Sequence, residues 1–250
     1  MAISIIIPCY NEENNLKRGV LNEVSDYLDT AKFKYEVLIC NDASTDNSLK
    51  LAQTFAASHP GFKVLDLPHG GKPSALLGGI KQAAYPWVLF SDMDQSTPLN
   101  QLEKFLPFMD SYDVIIGSRG TEREGNTLLR KIGANVFLNI RRLFLLPEVT
   151  DTQCGFKAMK TELAVSIFPR LSAVVTASAN SGWRVTAYDV EMLFLAHLNG
   201  KKIKEIPVDW RNEDTSTTKG DLAARYRKES IQMAKELWRV KLNHLRGVYR

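Results

Sequence analysis

The sequence predicts an α/β fold with a mostly parallel central sheet flanked by helices and amphipathic helices toward the C-terminus. Three observations predict it. Short apolar segments alternate with helical patterns through the first half of the chain. The segment Trp87-Val88-Leu89-Phe90-Ser91 is apolar on nearly every residue, as a strand covered on both faces of a parallel sheet must be. The chain has 250 residues, 44% of them hydrophobic, enough for one large domain with a substantial core or for two small ones.

The elements follow in order. Residues 3–7 open the chain as a strand, and a helical pattern over 12–30 leads to a second strand at 35–40. A helix over 46–58 follows, with Ser44 or Thr45 as its expected cap, and Pro60-Gly61 closes the connection after it. A third strand at 62–66, a helix over 72–84, the strand 87–91, a helix over 99–109 and a strand at 113–117 complete the alternation. Beyond Gly117 the pattern is less regular. Residues 128–146 read as an amphipathic helix with Leu128, Leu129, Ile132, Val136, Ile140 and Leu143 on one side and Arg130, Lys131, Arg141 and Arg142 toward the other. A strand-like stretch at 155–159, a helix over 187–198, a strand at 203–208 and a helix over 222–245 finish the chain, without internal repeat or low-complexity tract.

Charge and cysteines limit the function classes. The net charge is +4, but residues 219–250 carry nine Lys or Arg against three acids, which leaves the rest slightly acidic. These basic residues lack a nucleic-acid recognition fold, so no nucleic-acid partner is expected. Cys9, Cys40 and Cys154 are odd in number, far apart and in apolar segments, which suits buried thiols in a reducing compartment. The sequence opens directly on a strand, with no signal-like stretch and no run of 18 or more apolar residues. A soluble or peripheral, cytoplasmic protein is expected.

The chemistry gathers where the strands end, because parallel strands bring their carboxyl ends to one edge and ligands collect there. Asp92-Met93-Asp94 follows the strand 87–91. Two hard oxygen donors so close suit Mg²⁺ or Mn²⁺, which keep open positions for substrate phosphates; a helix cap or a solvated turn is the alternative. Pro8-Cys9-Tyr10-Asn11-Glu12 and Asn41-Asp42-Ala43-Ser44-Thr45-Asp46 end the first two strands. Tyr10 could stack on a nucleobase and Asp42 accept from a ring N–H, whereas Asp46 reads as a helix cap. His69-Gly70-Gly71-Lys72 offers glycine backbone, a positive charge and a helix N-terminus to an anion, without the spacing of an ATPase loop.

Those segments, with Gly117-Ser118-Arg119, resemble glycosyltransferase family 2, inverting enzymes with a nucleotide-sugar-binding GT-A-type fold. Asp151-Thr152-Gln153-Cys154-Gly155-Phe156-Lys157, Tyr188-Asp189-Val190-Glu191 and Ile206-Pro207-Val208-Asp209-Trp210 resemble its dolichyl-phosphate β-glucosyltransferase branch, close to the polyprenyl-phosphate mannose synthases. The resemblance spans nearly the whole chain. It implies a catalytic domain over 1–218 and a basic amphipathic helix over 219–250 packed on it or extending from it. It implies that Pro8, Tyr10, Glu12 and Asp42 hold the nucleoside, with Lys72 and Met93 also on the donor side. Asp92 and Asp94 match the metal pair, with Gln95 a further ligand or a group behind it. Arg119 and Arg130 resemble arginines that grip phosphates, with Arg211 a third; Arg suits this because its planar fork is bidentate. The chain departs from the family pattern in having Asn41-Asp42 for an acidic pair and Gly-Gly-Lys-Pro for Gly-Lys-Gly. The N-terminal membrane helix of the eukaryotic enzymes has no counterpart among these 250 residues.

The implied reaction moves a hexose, by resemblance glucose from UDP-glucose, onto a polyprenyl or dolichyl phosphate at the cytoplasmic face of a membrane. A phosphate acceptor is already anionic and needs no general base. A hydroxyl acceptor would need one, and Asp189 or Glu191 are the candidates, with a helix cap and a structural ion pair as their other reading. GDP-mannose or another donor, a glycan acceptor, and a non-catalytic nucleotide-sugar-binding scaffold are the alternatives. The basic C-terminal helix could lie on an anionic membrane or pack on the core with a solvated basic face.

Overall fold

The computed structural model describes residues 1–120, 146, 149–176, 188–211 and 222–249, with only the backbone described over 222–233. Seven strands form one sheet: β1 (Ala2–Cys9), β2 (Lys34–Asp42), β3 (Phe62–Leu67), β4 (Trp87–Phe90), β5 (Val114–Ser118), β6 (Lys157–Lys160) and β7 (Ile203–Pro207). Their order is β3-β2-β1-β4-β6-β5-β7. Among the described strands only β6 is antiparallel to its neighbours, β4 and β5. The loops after β1, β2, β3, β4 and β5 therefore open at one edge, as expected.

The α-helices are α1 (Glu13–Lys17), α2 (Val20–Asp29), α3 (Ser48–Ser58), α4 (Lys72–Gln82), α5 (Thr161–Ile167), α6 (Ser172–Val175), α7 (Tyr188–Leu198) and α8 (Leu222–Leu245). Alternate residues of each strand feed opposite faces. Ile3, Ile5, Ile7, Val37, Ile39 and Leu89 pack under α2, whereas Ile6, Leu38, Val88 and Phe90 pack under α4, α5 and α7. Burial on both faces explains the near-continuous apolar strands. The last helix belongs to the second layer through Leu237 and Val240, while Trp238, Leu245 and Val248 are 63%, 69% and 59% exposed.

Several expected elements differ. The helix expected over 12–30 is two helices, because Gly19 takes φ 88 and stops α1 in a conformation only glycine adopts freely. The helix expected over 99–109 is two 3₁₀ segments, Leu99–Lys104 and Leu106–Phe108. Pro107 has no N–H to continue an α-helix and disfavours it in the preceding residue. Neither Ser44 nor Thr45 caps α3: Ser44 Oγ accepts from Asn11 N–H (3.1 Å), and Asp46 Oδ1 accepts from Ser48 N–H (2.9 Å). Helix α5 was not among the expected elements, although Leu163, Ala164, Ile167 and Phe168 have the spacing of one buried helical stripe. The expected helix over 128–146 lies, but for buried Leu146, outside the described residues. All three cysteines are free and buried, and among the described residues no helix is long and apolar enough to cross a membrane.

Candidate active site

Three described non-glycine residues have positive φ: Asn11 (55°), Ala43 (55°) and Gln95 (52°). They lie in the loops after β1, β2 and β4, all at the one edge. Left-handed backbone at Ala or Gln costs about 1–2 kcal/mol each and persists where the surroundings enforce it, which is commonly at functional sites. The first two loops are tied together: Asn11 Oδ1 accepts from Thr45 N–H (2.8 Å), Ser48 Oγ from Glu12 N–H (2.7 Å), and Asp46 Oδ2 from Glu13 N–H (3.2 Å).

Asp42 is buried, and its Oδ1 and Oδ2 accept from Gly70 N–H (2.7 Å) and Gly71 N–H (2.9 Å), with His69 Nδ1 3.0 Å from Oδ2. The carboxylate thus holds the loop before α4. Gly71 has φ 80, which lets that loop turn into α4. The Tyr10 ring, 44% exposed, stacks on His69 at 4.9 Å between centroids. Pro8 stands near the end of β1, paired in register with Cys40 of β2.

Asp92 lies within a group of cations. Lys72 Nζ donates to Asp92 Oδ1. Burial alone would raise the Asp92 carboxyl, but Lys72, helped by Lys157 and Arg119, outweighs it and holds the group below its ordinary value. A Cβ on Gly155 would stand 1.9 Å from Asp92 Oδ2, so only glycine allows the loop before β6 to pass so close. Met93 is buried and sets the two aspartates apart. Asp94 accepts from Ser96 N–H (2.9 Å) and Ser96 Oγ (2.8 Å), and its carbonyl accepts from Arg18 Nη2 (2.7 Å). Gln95 turns inward, its Nε2 donating to Ser91 Oγ (3.2 Å) and to the Asp92 carbonyl (2.9 Å). Its amide supports the turn from behind instead of facing the cleft. Arg211 N–H donates to the Ser96 carbonyl (2.7 Å), which brings Arg211 beside the same turn.

A negative region borders this cationic one. Burial raises the Glu12 carboxyl, Asn15 opposes the rise through a 2.6 Å hydrogen bond, and Asp94, Asp92 and Asp46 add to it. Among the described residues no three His, Cys, Asp or Glu side chains converge tightly enough to enclose an ion. Asp92 and Asp94 still fit one: they are hard oxygen donors one residue apart on one turn, with the Glu12 and Asp46 carboxylates adding negative charge on their other side. Mg²⁺ and Mn²⁺ take one or two carboxylates and complete their shells from phosphate and water.

The remaining wall comes from elements beyond β5. Arg119 donates through Nε (2.8 Å) and Nη2 (2.9 Å) to Asp151, and the Trp210 ring centroid lies 5.8 Å from its guanidinium carbon. Lys157, 2% exposed, donates to Asp189 Oδ1 (2.5 Å) and to the Cys154 carbonyl. The Tyr188 hydroxyl is pushed far up, by burial first and then by Asp189. Glu191 lies elsewhere. It is fully buried and accepts from Ser172 N–H (3.0 Å), Ser172 Oγ (2.6 Å) and Tyr249 OH (2.5 Å), which ties α6 and the end of the chain to α7. That geometry gives Glu191 a structural role, not that of a base. Arg130 lies outside the described residues. Lys157, Gly155 and Asp151 had no individual role in the sequence reading; their only signal was the segment 151–157.

The geometry described is that of a cleft with an aromatic and glycine-lined side, a carboxylate turn and a cationic wall, and known proteins share the frame. Residues 4–168 match the family described as Glycosyl transferase family 2. A dolichyl-phosphate beta-glucosyltransferase of Dictyostelium discoideum is 30% identical over 269 residues, covering 99% of this chain and 76% of that protein. Its Saccharomyces cerevisiae counterpart is 28% identical over 271 residues, with coverage of 99% and 76%. Among solved structures, mannosyl-3-phosphoglycerate synthase from Rubrobacter xylanophilus superposes with a TM-score of 0.67 at 15% identity, covering 99% of this chain and 76% of the other. Glucosyl-3-phosphoglycerate synthase from Mycobacterium tuberculosis, in complex with Mn²⁺ and UDP-glucose, gives 0.59 at 19% identity, with coverage of 96% and 79%. These likenesses establish the GT-A fold, and the chain belongs to glycosyltransferase family 2.

Proposed function

We propose that this protein transfers glucose from UDP-glucose, with inversion, onto a dolichyl or polyprenyl phosphate at the cytoplasmic face of a membrane. Similarity to the dolichyl-phosphate beta-glucosyltransferases supports the sugar and the acceptor, and the M. tuberculosis neighbour carries UDP-glucose on the same fold. The observation that carries the choice of acceptor is the pairing of carboxylates in the cleft. Asp92 is paired with Lys72, Asp189 with Lys157 and Asp151 with Arg119. A carboxylate whose oxygen already accepts from a lysine or arginine N–H is poorly placed to take a proton, which disfavours a hydroxyl acceptor that must lose one. A phosphate monoester brings its own negative charge and needs no base.

In this reading Tyr10 and the loop after β2 hold the nucleoside, and Lys72 turns from Asp92 toward the donor diphosphate. Asp92 and Asp94 would hold Mg²⁺ or Mn²⁺, which supplies Lewis-acid stabilisation of the leaving diphosphate. Arg119 and Arg130 receive the acceptor phosphate. A phosphate oxygen forms a bond to the anomeric carbon as the bond to UDP breaks, and the electron pair leaves with UDP. Trp238, Leu245 and Val248, interspersed with Lys241 and Arg246, supply an apolar and basic surface suited to an anionic membrane. The test is sugar transfer from UDP-glucose, UDP-galactose, UDP-N-acetylglucosamine and GDP-mannose to a short polyprenyl phosphate or to the matching polyprenol, with and without chelator. Chelator-sensitive transfer from UDP-glucose to the phosphate alone is expected. Transfer to the alcohol, or from another donor in preference, overturns the proposal.

A further inference from the structure

Arg119 is held by one edge. Its backbone N–H (3.1 Å) and Nε (2.8 Å) donate to Asp151 Oδ2, and its Nη2 (2.9 Å) donates to Oδ1. A guanidinium has five N–H groups in a fixed plane. Asp151 takes the side edge, Nε with one Nη2 hydrogen, so the end edge, Nη1 with the other Nη2 hydrogen, stays available to a second bidentate acceptor. Among the described residues no protein group accepts from Nη1.

Asp151 is itself fixed from behind. Glu205 on β7 accepts from Asp151 N–H (2.7 Å) and Thr150 N–H (2.6 Å), and Asp151 Oδ1 also accepts from Gln153 N–H (3.1 Å). Arg119 and Asp151 side chains are only 15% and 12% exposed, so the pair is not a mobile surface bridge. Gly155, four residues beyond Asp151 in the same loop, packs so closely on Asp92 that a Cβ there would stand 1.9 Å from Asp92 Oδ2, which brings the Arg119–Asp151 pair to the edge where Asp92 stands.

We propose that Asp151 is a positioning residue: it locks Arg119 side-on so that the end-on fork meets two oxygens of the acceptor phosphate, and Glu205 anchors the loop that carries it. This rests on the reading of Arg119 as a receiver of acceptor phosphate. A second set of parallel N–H···O bonds to a tetrahedral phosphate is what the free edge fits. Holding the arginine in advance also removes the rotamer ordering that binding would otherwise require.

Charge and position make opposite predictions here, which gives a decisive test. Asp151→Asn leaves the cleft one charge more positive, so a purely electrostatic role for Asp151 lowers the KM for polyprenyl phosphate. Positioning raises that KM, by about tenfold for the loss of a group that orients a binding side chain, with the KM for UDP-glucose within about twofold. The double variant Arg119→Ala/Asp151→Asn should then be no worse than Arg119→Ala alone, because Asp151 acts through Arg119. Glu205→Gln, which leaves the pair untouched and loosens its loop, should raise the acceptor KM by a smaller factor and serves if Asp151→Asn does not fold. A lowered or unchanged acceptor KM in a folded Asp151→Asn or Glu205→Gln protein, or effects that multiply in the double variant, overturns the proposal. An unchanged acceptor KM in Arg119→Ala overturns instead the reading on which it rests.

Discussion

Gly155→Ala asks whether catalysis needs Asp92 where the loop before β6 holds it. A Cβ at position 155 would stand 1.9 Å from Asp92 Oδ2 and 2.6 Å from Cγ, whereas ordinary contact begins near 3.4 Å. The carboxylate or the loop must therefore retreat by about 1.5 Å. Asp92 has little room to do so, since its other oxygen is bonded to Lys72. Misplacing a catalytic group by ~1 Å costs on the order of 10²-fold in rate, which corresponds to roughly 2.7 kcal/mol of transition-state stabilisation. Overpacking itself costs about 1–3 kcal/mol of stability, with roughly 2–4 °C of melting temperature per kcal/mol in a chain of this size.

Gly79→Ala separates the two effects. Its Cβ would meet Ile6 Cγ2 at 2.5 Å and Cys40 Sγ at 2.8 Å, comparable crowding in the core under α4 and away from the cleft. The assay is kcat for glucosyl transfer at saturating donor and acceptor, beside the thermal midpoint of each protein. Both variants should lose similar stability, and only Gly155→Ala should lose about 100-fold in kcat. A folded Gly155→Ala enzyme with kcat within about threefold of the parent refutes the placement of Asp92 in the chemistry.

Asp94→Asn should lower transfer by at least about 100-fold while the melting midpoint stays nearly constant, because the amide oxygen still accepts from Ser96; normal turnover removes Asp94 from the metal pair. Glu191→Gln should cost about 1–3 kcal/mol in denaturant unfolding through its buried partners, with kcat per folded molecule unchanged; a kcat loss at unchanged stability would reinstate it as a base. Arg119 outweighs burial and holds the Asp151 carboxyl at about 2, against an ordinary 3.8. Its folded value is depressed, so its contribution of roughly 2 kcal/mol is present above pH 3.8 and is lost as pH falls toward 2; urea unfolding between pH 5 and 2.5 should show a shallower acid slope in Asp151→Asn. Replacing Trp238 and Leu245 by Ser should weaken binding to anionic vesicles in a sedimentation assay without moving the melting midpoint, whereas Leu237→Ala should cost about 2–5 kcal/mol and leave vesicle binding of the folded protein intact.

The strands were legible because burial on both faces leaves an apolar run with no polar alternation, and β1 through β5 lie within two residues of their expected bounds. The direction of β6 was not, since local pattern carries no information on pairing. Helix geometry explains why the two acids of α7 part company. Residues two apart on a helix point to nearly opposite sides, so Asp189 meets Lys157 at the cleft and Glu191 meets Ser172 and Tyr249 in the interior. Asp92 and Asp94 were visible as a pair, but their surroundings were not: Lys72 arrives from 20 residues upstream and Lys157 and Arg119 from downstream. Asp42 shows the limit most clearly. Its position after β2 was predictable, while its use in holding Gly70 and Gly71 depends on where β3 delivers its own loop.

The three acid–base pairs around the cleft are costly as architecture. Burying an ion pair gains little net stability, because desolvation offsets the attraction, and a core of the same volume built from apolar side chains would hold this fold as well. Their placement acquires a reason once the cleft receives anions. Lys157 and Arg119 are each held by a carboxylate before substrate arrives, so on the proposed reading the positive charge that would face the acceptor phosphate is assembled when the protein folds and not when the substrate binds. Fixed charges that need no reorganisation in the transition state are the most effective form of electrostatic catalysis. The pairs differ in what they can release. Asp151 holds Arg119 by one edge and leaves the other, and Lys157 is buried behind Asp189, but Lys72 and Asp92 are partly exposed and face the carboxylate turn. Of these three pairs Lys72–Asp92 is therefore the one able to exchange, and on the proposed reading Lys72 would pass from Asp92 to a phosphate, which would release Asp92 to a divalent ion as the nucleotide sugar enters.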